Sequence, residues 1–307
     1  MREVLVTGAT GFVGGAVVRL LQRQGVPVVR LVRPGAQPVD LKGVRTVQAL
    51  LHDADDLRRA LAGLKPSHVI HLAAYGVRPQ DLDPQALLDS NVGALVALLQ
   101  VAADWKLTRF VHVGSCAEYG QVGPQPLTED QPLRPTSPYG AAKAAAALLG
   151  TALAGRLEVP LVTLRLFGTY GPGEAAGRLV PWLVRDLRQG RPVDLTPGLQ
   201  VRDFTYIDDV AAALVGACTA NLPAGSAWHV CSGRGTTVRT LAEGVAALLD
   251  VPPDLLHFGA LAARNDEPAV LVGDPRRFQS ATGWRATMTL EAGLAAAVAH
   301  ELEIAIA

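Results

Sequence analysis

A glycine-rich turn near the start of the chain joins a short apolar strand pattern to an amphipathic helix pattern. The residues are LVTGATGFVGGAVVRLL, with glycines at Gly8, Gly11 and Gly14. The first glycine permits a tight turn, the second lets the backbone approach a diphosphate, and the third lets helix and strand pack closely. The N–H groups at the start of the helix can then face an anion. The turn predicts a dinucleotide site, with expected contacts from Gly8, Thr10, Gly11, Phe12, Val13 and Gly14.

Short β-branched runs alternate with longer Ala- and Leu-rich runs through the first half of the chain. The strand-like runs are EVLVT, VPVVRLV, RTVQALL, HVIHLAA, FVHVGS and PLVTLRLF. This alternation predicts an α/β fold of the Rossmann type, a doubly wound parallel sheet with ligands at the carboxyl ends of its strands. We expect a dinucleotide-binding domain over residues 1–170, with returning segments near 200–230. A smaller C-terminal α/β lobe over residues 171–307 would then bind the substrate.

Composition excludes several classes of partner. Lys+Arg and Asp+Glu both number 28, so no overall field favours nucleic acid or an anionic membrane. We find no signal-peptide pattern and no apolar run of about 18 residues, and therefore expect a cytoplasmic protein without a membrane partner. Cys116, Cys218 and Cys231 form no CxxC pair, and His68 and His71 should point to opposite faces of one strand. We therefore predict reduced thiols and no metal site.

Tyr139 and Lys143 lie four residues apart in SPYGAAKAAAALL. Residues at this spacing share one face of a helix, so the ammonium can lie close to the phenol. At ~5 Å and an effective dielectric of ~20, one charge favours phenolate by roughly 3 kcal/mol, or about two pKa units. The pair therefore predicts a Tyr139 pKa approaching neutrality and proton exchange with a carbonyl or alcohol during hydride transfer.

The end of the second strand bears on the choice of cofactor. NAD-selective sheets usually place an acid there for the ribose diol, but VPVVRLVRPG has none. Arg33, with Arg30 nearby, could instead bind a 2′-phosphate, which favours NADP. NAD is the alternative, in which case both arginines would be solvated residues at the strand end.

Several motifs occur in an order that resembles a known family. They are TGATGFVG (7–14), HLAA (71–74), Asn91, GSCAEYG (114–120), YGAAK (139–143), LRLFGTYGPG (164–173) and RDFTYIDDVA (202–211). Together they resemble the extended short-chain dehydrogenases/reductases and, more narrowly, the nucleotide-sugar epimerase/dehydratase family. The resemblance covers residues 2 to about 294.

The resemblance implies roles for individual residues. Ser115 would hydrogen-bond the reacting sugar oxygen, Tyr139 would be the acid/base, and Lys143 would grip the nicotinamide ribose and lower the pKa of the tyrosine. Further cofactor contacts are implied at Leu51, Leu72, Ala73, Ala74 and Asn91, besides Tyr139 and Lys143. Implied substrate contacts are Ser115, Cys116, Gly168, Arg202 and Arg264. The two arginines match the family's diphosphate clamps, although they could instead form surface ion pairs with Asp203 or Asp266.

Departures from the family pattern narrow the reaction. Dehydratases resemble one another in carrying Asp-Glu directly after the Ser/Thr, whereas this chain has Cys116 and Ala117. Glu118 comes one place too late, and on a strand-like segment one residue reverses the face. Gly168 stands where 4-epimerases have an asparagine. Dehydration is therefore not expected.

We accordingly expect an NADP-dependent reductase of a nucleoside-diphosphate 4-keto-6-deoxy sugar, with Tyr139 giving the proton. The alternative is a nucleotide-sugar 4-epimerase with tightly held NAD, and a third possibility is a non-catalytic dinucleotide sensor. The resemblance also implies a homodimer formed by helices around residues 84–104 and 139–154. The Ala/Leu faces of these segments would equally suit an internal core.

Overall fold

The computed structural model describes residues 1–77, 80–263 and 267–304. Its strands are β1 (Val4–Thr7), β2 (Val28–Val32), β3 (Val44–Gln48), β4 (His68–His71), β5 (Arg109–Ser115), β6 (Leu161–Leu166), β7 (Gly168–Tyr170), β8 (Val193–Leu195), β9 (Val201–Tyr206), β10 (Ala227–Val230), β11 (Gly235–Thr237), β12 (Leu256–Phe258) and β13 (Val270–Leu271). Its α-helices are α1 (Phe12–Arg23), α2 (Ala54–Ala60), α3 (Pro84–Leu87), α4 (Ala94–Ala102), α5 (Pro138–Arg156), α6 (Leu179–Leu187), α7 (Ile207–Ala217), α8 (Val238–Leu248), α9 (Arg276–Thr282) and α10 (Leu290–Ile304).

Seven strands of the described residues form one large sheet in the order β10-β6-β5-β4-β1-β2-β3. Every pairing in it is parallel. The direction of winding reverses between β1 and β4, and ligands of such sheets bind in the crevice at this point. The predicted Rossmann-type fold is confirmed.

The two faces of the large sheet are buried under separate apolar clusters. In β1, Val4 and Val6 belong to one cluster and Leu5 to the other, because successive side chains of a strand point to opposite faces. Leucines of α4 pack with Leu5, whereas α1 and α7 cover the opposite face. This two-sided burial explains why the strands read as continuous apolar runs.

The second half of the chain builds smaller sheets and also returns to the large one. Strand β9 pairs with β7, β11 and β13, and β8 pairs with β12. Because β7 already belongs to the small sheet, that sheet includes residues before position 171. Strand β10 instead joins the edge of the large sheet beside β6.

The stretch Pro84–Ala102 is long and apolar enough, by length and composition, to cross a membrane. The expectation that no apolar run reaches this length is corrected here. It comprises α3, the π-helical segment Leu88–Gly93 and α4, and half of its most apolar 18-residue window is buried within the fold. Core helices of soluble proteins pass the same test, so this stretch is weak evidence for a membrane span.

Candidate active site

One cavity of about 560 Å³ runs along the carboxyl ends of the central strands, from the glycine turn to the second half of the chain. The sequence-predicted residues that line it are Gly8, Gly11, Phe12, Val13, Gly14, Leu72, Ala74, Ser115, Cys116, Tyr139, Lys143, Gly168 and Arg202. Thr10, Arg30, Arg33, Leu51, Ala73 and Asn91 do not line this cavity. Arg264 lies outside the described residues. The cavity therefore brings together the turn, the Ser/Tyr/Lys set and one of the two predicted diphosphate arginines.

The glycine turn has the shape that a diphosphate requires. Gly8 has φ +64°, and a Cβ there would lie 2.8 Å from the Ala73 backbone nitrogen. A Cβ on Gly14 would collide with the Gly8 carbonyl oxygen. Helix α1 begins after Gly11, and no side chain in the described ranges caps it, so its N-terminal N–H groups remain available to an anion. The turn fits a dinucleotide.

Thr7, which the sequence reasoning did not single out, holds the neighbouring cavity wall. Its hydroxyl oxygen accepts hydrogen bonds from the N–H groups of Leu72 (3.2 Å) and Ala73 (3.1 Å). The same hydroxyl lies 2.8 Å from Nδ1 of His71. The segment after β4 is thereby fixed against the end of β1, which explains why Ala73 is adjacent to the glycine turn without lining the cavity.

Asn91 is buried next to the cavity wall and does not line the cavity itself. Its side chain is 1% exposed, and Nδ2 donates to the carbonyl oxygens of Tyr75 (2.9 Å) and Leu87 (3.0 Å). Oδ1 accepts from the Tyr75 N–H at 3.4 Å. These contacts use the amide to hold the loop after β4.

The two arginines predicted to select NADP differ in their surroundings. Arg30 is buried in β2, where Nε donates to Thr46 Oγ1 at 2.6 Å and Nη2 lies 4.0 Å from an Asp40 carboxylate oxygen. Arg33 is exposed one residue beyond the end of β2. Of these two arginines, Arg33 is the exposed one and Arg30 is buried.

Helix α5 presents Tyr139 and Lys143 to the cavity. Ser137 caps this helix by accepting from the Gly140 N–H at 3.1 Å, and Pro138 occupies the first turn, where its missing N–H costs nothing. Tyr139 is half-buried, and it lines the cavity with Ser115, whose side chain is close enough to lower the pKa of the phenol. Lys143 is 3% exposed, and its ammonium donates to the Val113 carbonyl oxygen at 2.5 Å. The predicted common face is therefore present.

The predicted pKa of Tyr139 is wrong. Burial raises the pKa of this phenol to about 12, and the hydrogen bond from Ser115 only partly opposes the rise. Burial also lowers the pKa of Lys143 to about 8, with the Glu118 carboxylate acting in the opposite direction. Removal of the phenol from water outweighs the attraction that the spacing suggested, and the ammonium is bonded to the Val113 backbone.

Ser115 is held by the turn that follows it. Its Oγ accepts from the Ala117 N–H at 3.2 Å, while Glu118 Oε1 accepts from the Ser115 N–H at 2.7 Å, which together form a capping box. Residues Cys116–Tyr119 form a 3-10 helix, so the strand-like segment expected here is wrong. Glu118 is nonetheless fully buried and directed to Ser115 and Arg165. Burial raises the pKa of the Cys116 thiol to about 12, so this cavity residue stays protonated.

Arg202 and Gly168 line the cavity from the paired strands β9 and β7. Arg202 Nη2 donates to Glu267 Oε1 at 2.6 Å. The alternative ion pair of Arg202 with Asp203 is wrong, because the Asp203 carboxylate accepts hydrogen bonds from the N–H groups of Ser232 and Gly233. The other alternative partner, Asp266, lies outside the described residues. A Cβ on Gly168 would lie 2.8 Å from the Asp203 carbonyl oxygen, so the pairing of β7 with β9 requires glycine.

Sequence reasoning missed Glu174 and Arg178, which line the same cavity. Arg178 Nε donates to Glu174 Oε1 at 3.3 Å, and Arg178 also lowers the pKa of Tyr139. Burial raises the pKa of Glu174 to about 7. An acid and an arginine four residues apart, just before α6, were the available signal, but no periodicity in GPGEAAGRLVP indicates which side chains face a cavity.

Metal-ligating side chains do not cluster in the part of the chain that the structure describes. Within these described ranges, no group of three or more His, Cys, Asp or Glu side chains could hold a metal ion. The three cysteines have free thiols. His68 and His71 are both buried in β4, where their Nδ1 atoms bond to the hydroxyls of Ser67 and Thr7.

A glycine turn at a sheet switch point and a Ser/Tyr/Lys set on one cavity define an oxidoreductase of the extended short-chain dehydrogenase type. The model of the NAD dependent epimerase/dehydratase family matches residues 4–231. The chain belongs to this family and is an enzyme of the NAD-dependent extended short-chain dehydrogenase type.

Relatives extend over nearly the whole chain. A dTDP-glucose 4,6-dehydratase of Streptomyces griseus is 31% identical over 97% of this chain and 93% of its own length. A UDP-glucose 4-epimerase of Streptomyces lividans is 29% identical over 92% of this chain and 91% of its own. The solved structure of MoeE5 in complex with UDP-glucuronic acid and NAD has a TM-score of 0.86 and 31% identity, covering 98% of this chain and 99% of that one.

Proposed function

We propose that this enzyme reduces a nucleoside-diphosphate 4-keto-6-deoxy sugar with NADPH. The observation that carries the proposal is the Tyr139 phenol, which lines the cavity together with Ser115 and keeps its proton at neutral pH because burial raises its pKa to about 12. A protonated phenol at this place is the acid that a ketone needs as it accepts hydride. Oxidation of an alcohol would instead have to begin with the phenolate.

The residues divide the work as follows. A nicotinamide dinucleotide bound at the glycine turn would supply the hydride to the keto carbon. Ser115 donates a hydrogen bond to the keto oxygen and orients it, and Tyr139 transfers its proton to that oxygen as negative charge develops. Lys143, fixed on the Val113 carbonyl, holds positive charge close to the reacting groups.

The carboxylates at this site are not placed to catalyse dehydration. Glu118 is bonded to the Ser115 N–H and to Arg165, and Cys116 and Ala117 occupy the cavity side of the turn. Among the described residues that line the cavity, Glu174 is the one carboxylate, and it is paired with Arg178. An elimination would need an acid and a base free to reach two neighbouring carbons.

The substrate's diphosphate would bind at Arg202. The Arg202 side chain lines the cavity and is 14% exposed, and its carboxylate partner among the described residues, Glu267, can be displaced or shared. Arginine suits this task because its planar donors match phosphate oxygens. Arg33 would bind the 2′-phosphate of NADPH, since it is exposed beyond β2 while Arg30 is held by Thr46.

The second candidate is a nucleotide-sugar 4-epimerase that retains NAD. It is favoured by the resemblance over nearly full length to the UDP-glucose 4-epimerase of Streptomyces lividans and by NAD in the MoeE5 complex. In this reaction Tyr139 would first remove and later return one proton at the same oxygen.

Cofactor retention and substrate turnover separate the two candidates. Purified protein is desalted, its absorbance is recorded, and NADPH oxidation is followed with dTDP- and UDP-linked 4-keto-6-deoxy hexoses. We expect a protein without bound NAD that consumes NADPH. Retained NAD together with interconversion of UDP-glucose and its C4 epimer would instead establish the epimerase, and tighter NADH than NADPH binding would remove the role of Arg33.

A further inference from the structure

Glu118 forms a buried ion pair directly beneath the catalytic serine. Its side chain is fully buried, and Oε2 accepts from Arg165 Nε at 2.7 Å. The other oxygen, Oε1, accepts from the Ser115 N–H at 2.7 Å. One carboxylate therefore ties the end of β5 to β6.

The ion pair continues into a hydrogen-bonded chain that reaches a third strand. Arg165 Nη1 donates to the Tyr119 hydroxyl at 2.8 Å, and this hydroxyl lies 2.6 Å from Nε2 of His229 on β10. Burial keeps the pKa of His229 at about 3, so the ring is neutral. Such a network leaves little freedom to its members because each buried group is costly to release.

The backbone is shaped to admit this carboxylate. A Cβ on Gly114 would lie 2.5 Å from Glu118 Oε1 and 3.0 Å from Thr163 Cγ2, so a side chain there would displace the carboxylate from this position. With its N–H held by Glu118 and its Oγ accepting from the Ala117 N–H, Ser115 has its own hydroxyl proton left to donate. Ser115 and Tyr139 line the same cavity, and the Ser115 side chain is close enough to the phenol to lower its pKa.

We propose that Glu118 is a positioning residue, whose ion pair with Arg165 fixes the Ser115 backbone and so aims the Ser115 hydroxyl at Tyr139 and the reacting oxygen. This inference rests on the proposed ketoreduction. Glu118, which resembles a dehydratase acid displaced by one position, thus acts through Ser115 and does not contact the substrate.

The carboxylate has a second, electrostatic effect on the same groups. Its negative charge raises the pKa of both Lys143 and Tyr139. Removing the charge should therefore let Lys143 lose its proton at lower pH. A residue that only stabilised the fold would not move this titration, so pH profiles distinguish the two roles.

The test uses Glu118→Gln in the full-length enzyme, with Glu243→Gln as the matched control. Glu243 forms an exposed ion pair with Arg239 at 3.7 Å, outside the cavity. Because Glu118→Gln leaves the Arg165 cation buried without its partner, a second variant combines Glu118→Leu with Arg165→Met and removes both charges together. Turnover of dTDP-4-keto-6-deoxyglucose, NADPH affinity by fluorescence, and Tm are measured for each.

We expect Glu118→Gln and the double variant to lower kcat by about 10- to 100-fold, while KM and the NADPH Kd at neutral pH change less than about threefold. In Glu118→Gln the loss of NADPH affinity at high pH should begin at least about half a pH unit lower than in the wild type, whereas the double variant, which also loses the Arg165 cation, should show a smaller shift. The control should match the wild type throughout. Wild-type kcat in the folded double variant, or an unshifted pH profile in Glu118→Gln, would overturn the proposal, as would equal losses of kcat and NADPH affinity.

Failure of the proposed function gives a different pattern. If the wild type reduces none of the keto sugars, the ketoreductase assignment is wrong. The pH dependence of NADPH binding still tests Glu118 in that case. Identical pH profiles in wild type and both variants would reject the electrostatic effect and, with it, this role for Glu118.

Discussion

Lys143 donates its ammonium proton to the carbonyl oxygen of Val113 at 2.5 Å, one turn of α5 beyond Tyr139. This bond ties the helix to the backbone of β5 and holds a buried cation in the cavity that the glycine turn and Ser115 also line. The cation is therefore held by the sheet, while the Tyr139 phenol lies in the cavity lining with Ser115. Their different surroundings lead to separate expectations for the two residues.

Dinucleotide affinity should fall above pH 8. Burial lowers the pKa of Lys143 to about 8, so the cation is present below that pH and is lost as the pH rises through it. The histidines packed nearby, His71 and His112, are held neutral by burial and do not replace the charge. NADPH and NADH Kd values measured by fluorescence from pH 6.5 to 9.5 should rise at the upper end. Lys143→Met should bind weakly at every pH, and a flat wild-type profile would contradict the role of the ammonium.

Removing the acid should stop the reaction without releasing the cofactor. Tyr139→Phe should reduce kcat by about 10³-fold or more, and Ser115→Ala by about 10²-fold, because proton transfer and orientation of the carbonyl are lost. The Kd for dinucleotide should stay within about threefold. Tyr206→Phe, which removes a hydroxyl outside the cavity, is the control for the substitution type. Near-normal turnover of Tyr139→Phe would remove Tyr139 from the mechanism.

Arg202→Ala should weaken substrate binding selectively. A charge-assisted hydrogen bond contributes about 1.5–3 kcal/mol, so we expect roughly a 10- to 100-fold rise in Kd for UDP or dTDP sugars. Dinucleotide affinity should remain unchanged. Arg185→Ala provides the control, because Arg185 forms its ion pair with Asp186 outside the cavity. Calorimetry with both ligands measures the difference, and a larger loss for NADPH would reverse the assignment.

Glu174→Gln should stabilise the protein at alkaline pH. The pKa of Glu174 is raised by burial to about 7 from 4.5, so the folded state binds this proton more tightly than the unfolded state. The free energy of unfolding contributed by this group therefore falls as the pH rises from about 4.5 to 7. Above pH 7 the variant should exceed the wild type by about 1–3 kcal/mol, and near pH 4 the two should agree. Urea unfolding at pH 4, 6 and 8 measures this, and a pH-independent difference would contradict it.

A homodimer is proposed through α5 and the segment Leu88–Gly93, which pack together. Leu88, Leu148 and Leu149 are 54%, 65% and 48% exposed, and an apolar surface of this kind is often an interface. Leu148→Asp with Leu149→Asp should convert a dimer into monomers by light scattering. Leu248→Asp, at a leucine 45% exposed on α8, should leave the mass unchanged. A wild-type monomer at micromolar concentration would exclude this interface.

The sequence was sufficient for features that depend on near neighbours in the chain. The glycine turn, the alternation of strands and helices, and the shared face of Tyr139 and Lys143 follow from periods of two to four residues. The need for glycine at Gly8 and Gly14 could be predicted because it depends only on the conformation of one tight turn. These expectations gave the fold class and the parts of the cavity lining that belong to the glycine turn and to α5, whereas Ser115, Gly168 and Arg202 were implied by the family resemblance.

Tertiary structure alone decided the charges and partners within that cavity. Glu118 meets Arg165 across 47 positions, and Arg202 meets Glu267 across 65, and no local pattern specifies either pair. The high pKa of Tyr139 and the near-neutral pKa of Glu174 come from loss of water, which depends on all the segments that close around a side chain. Local periodicity therefore determined where the reactive groups lie along the fold, whereas burial by distant segments determined their protonation.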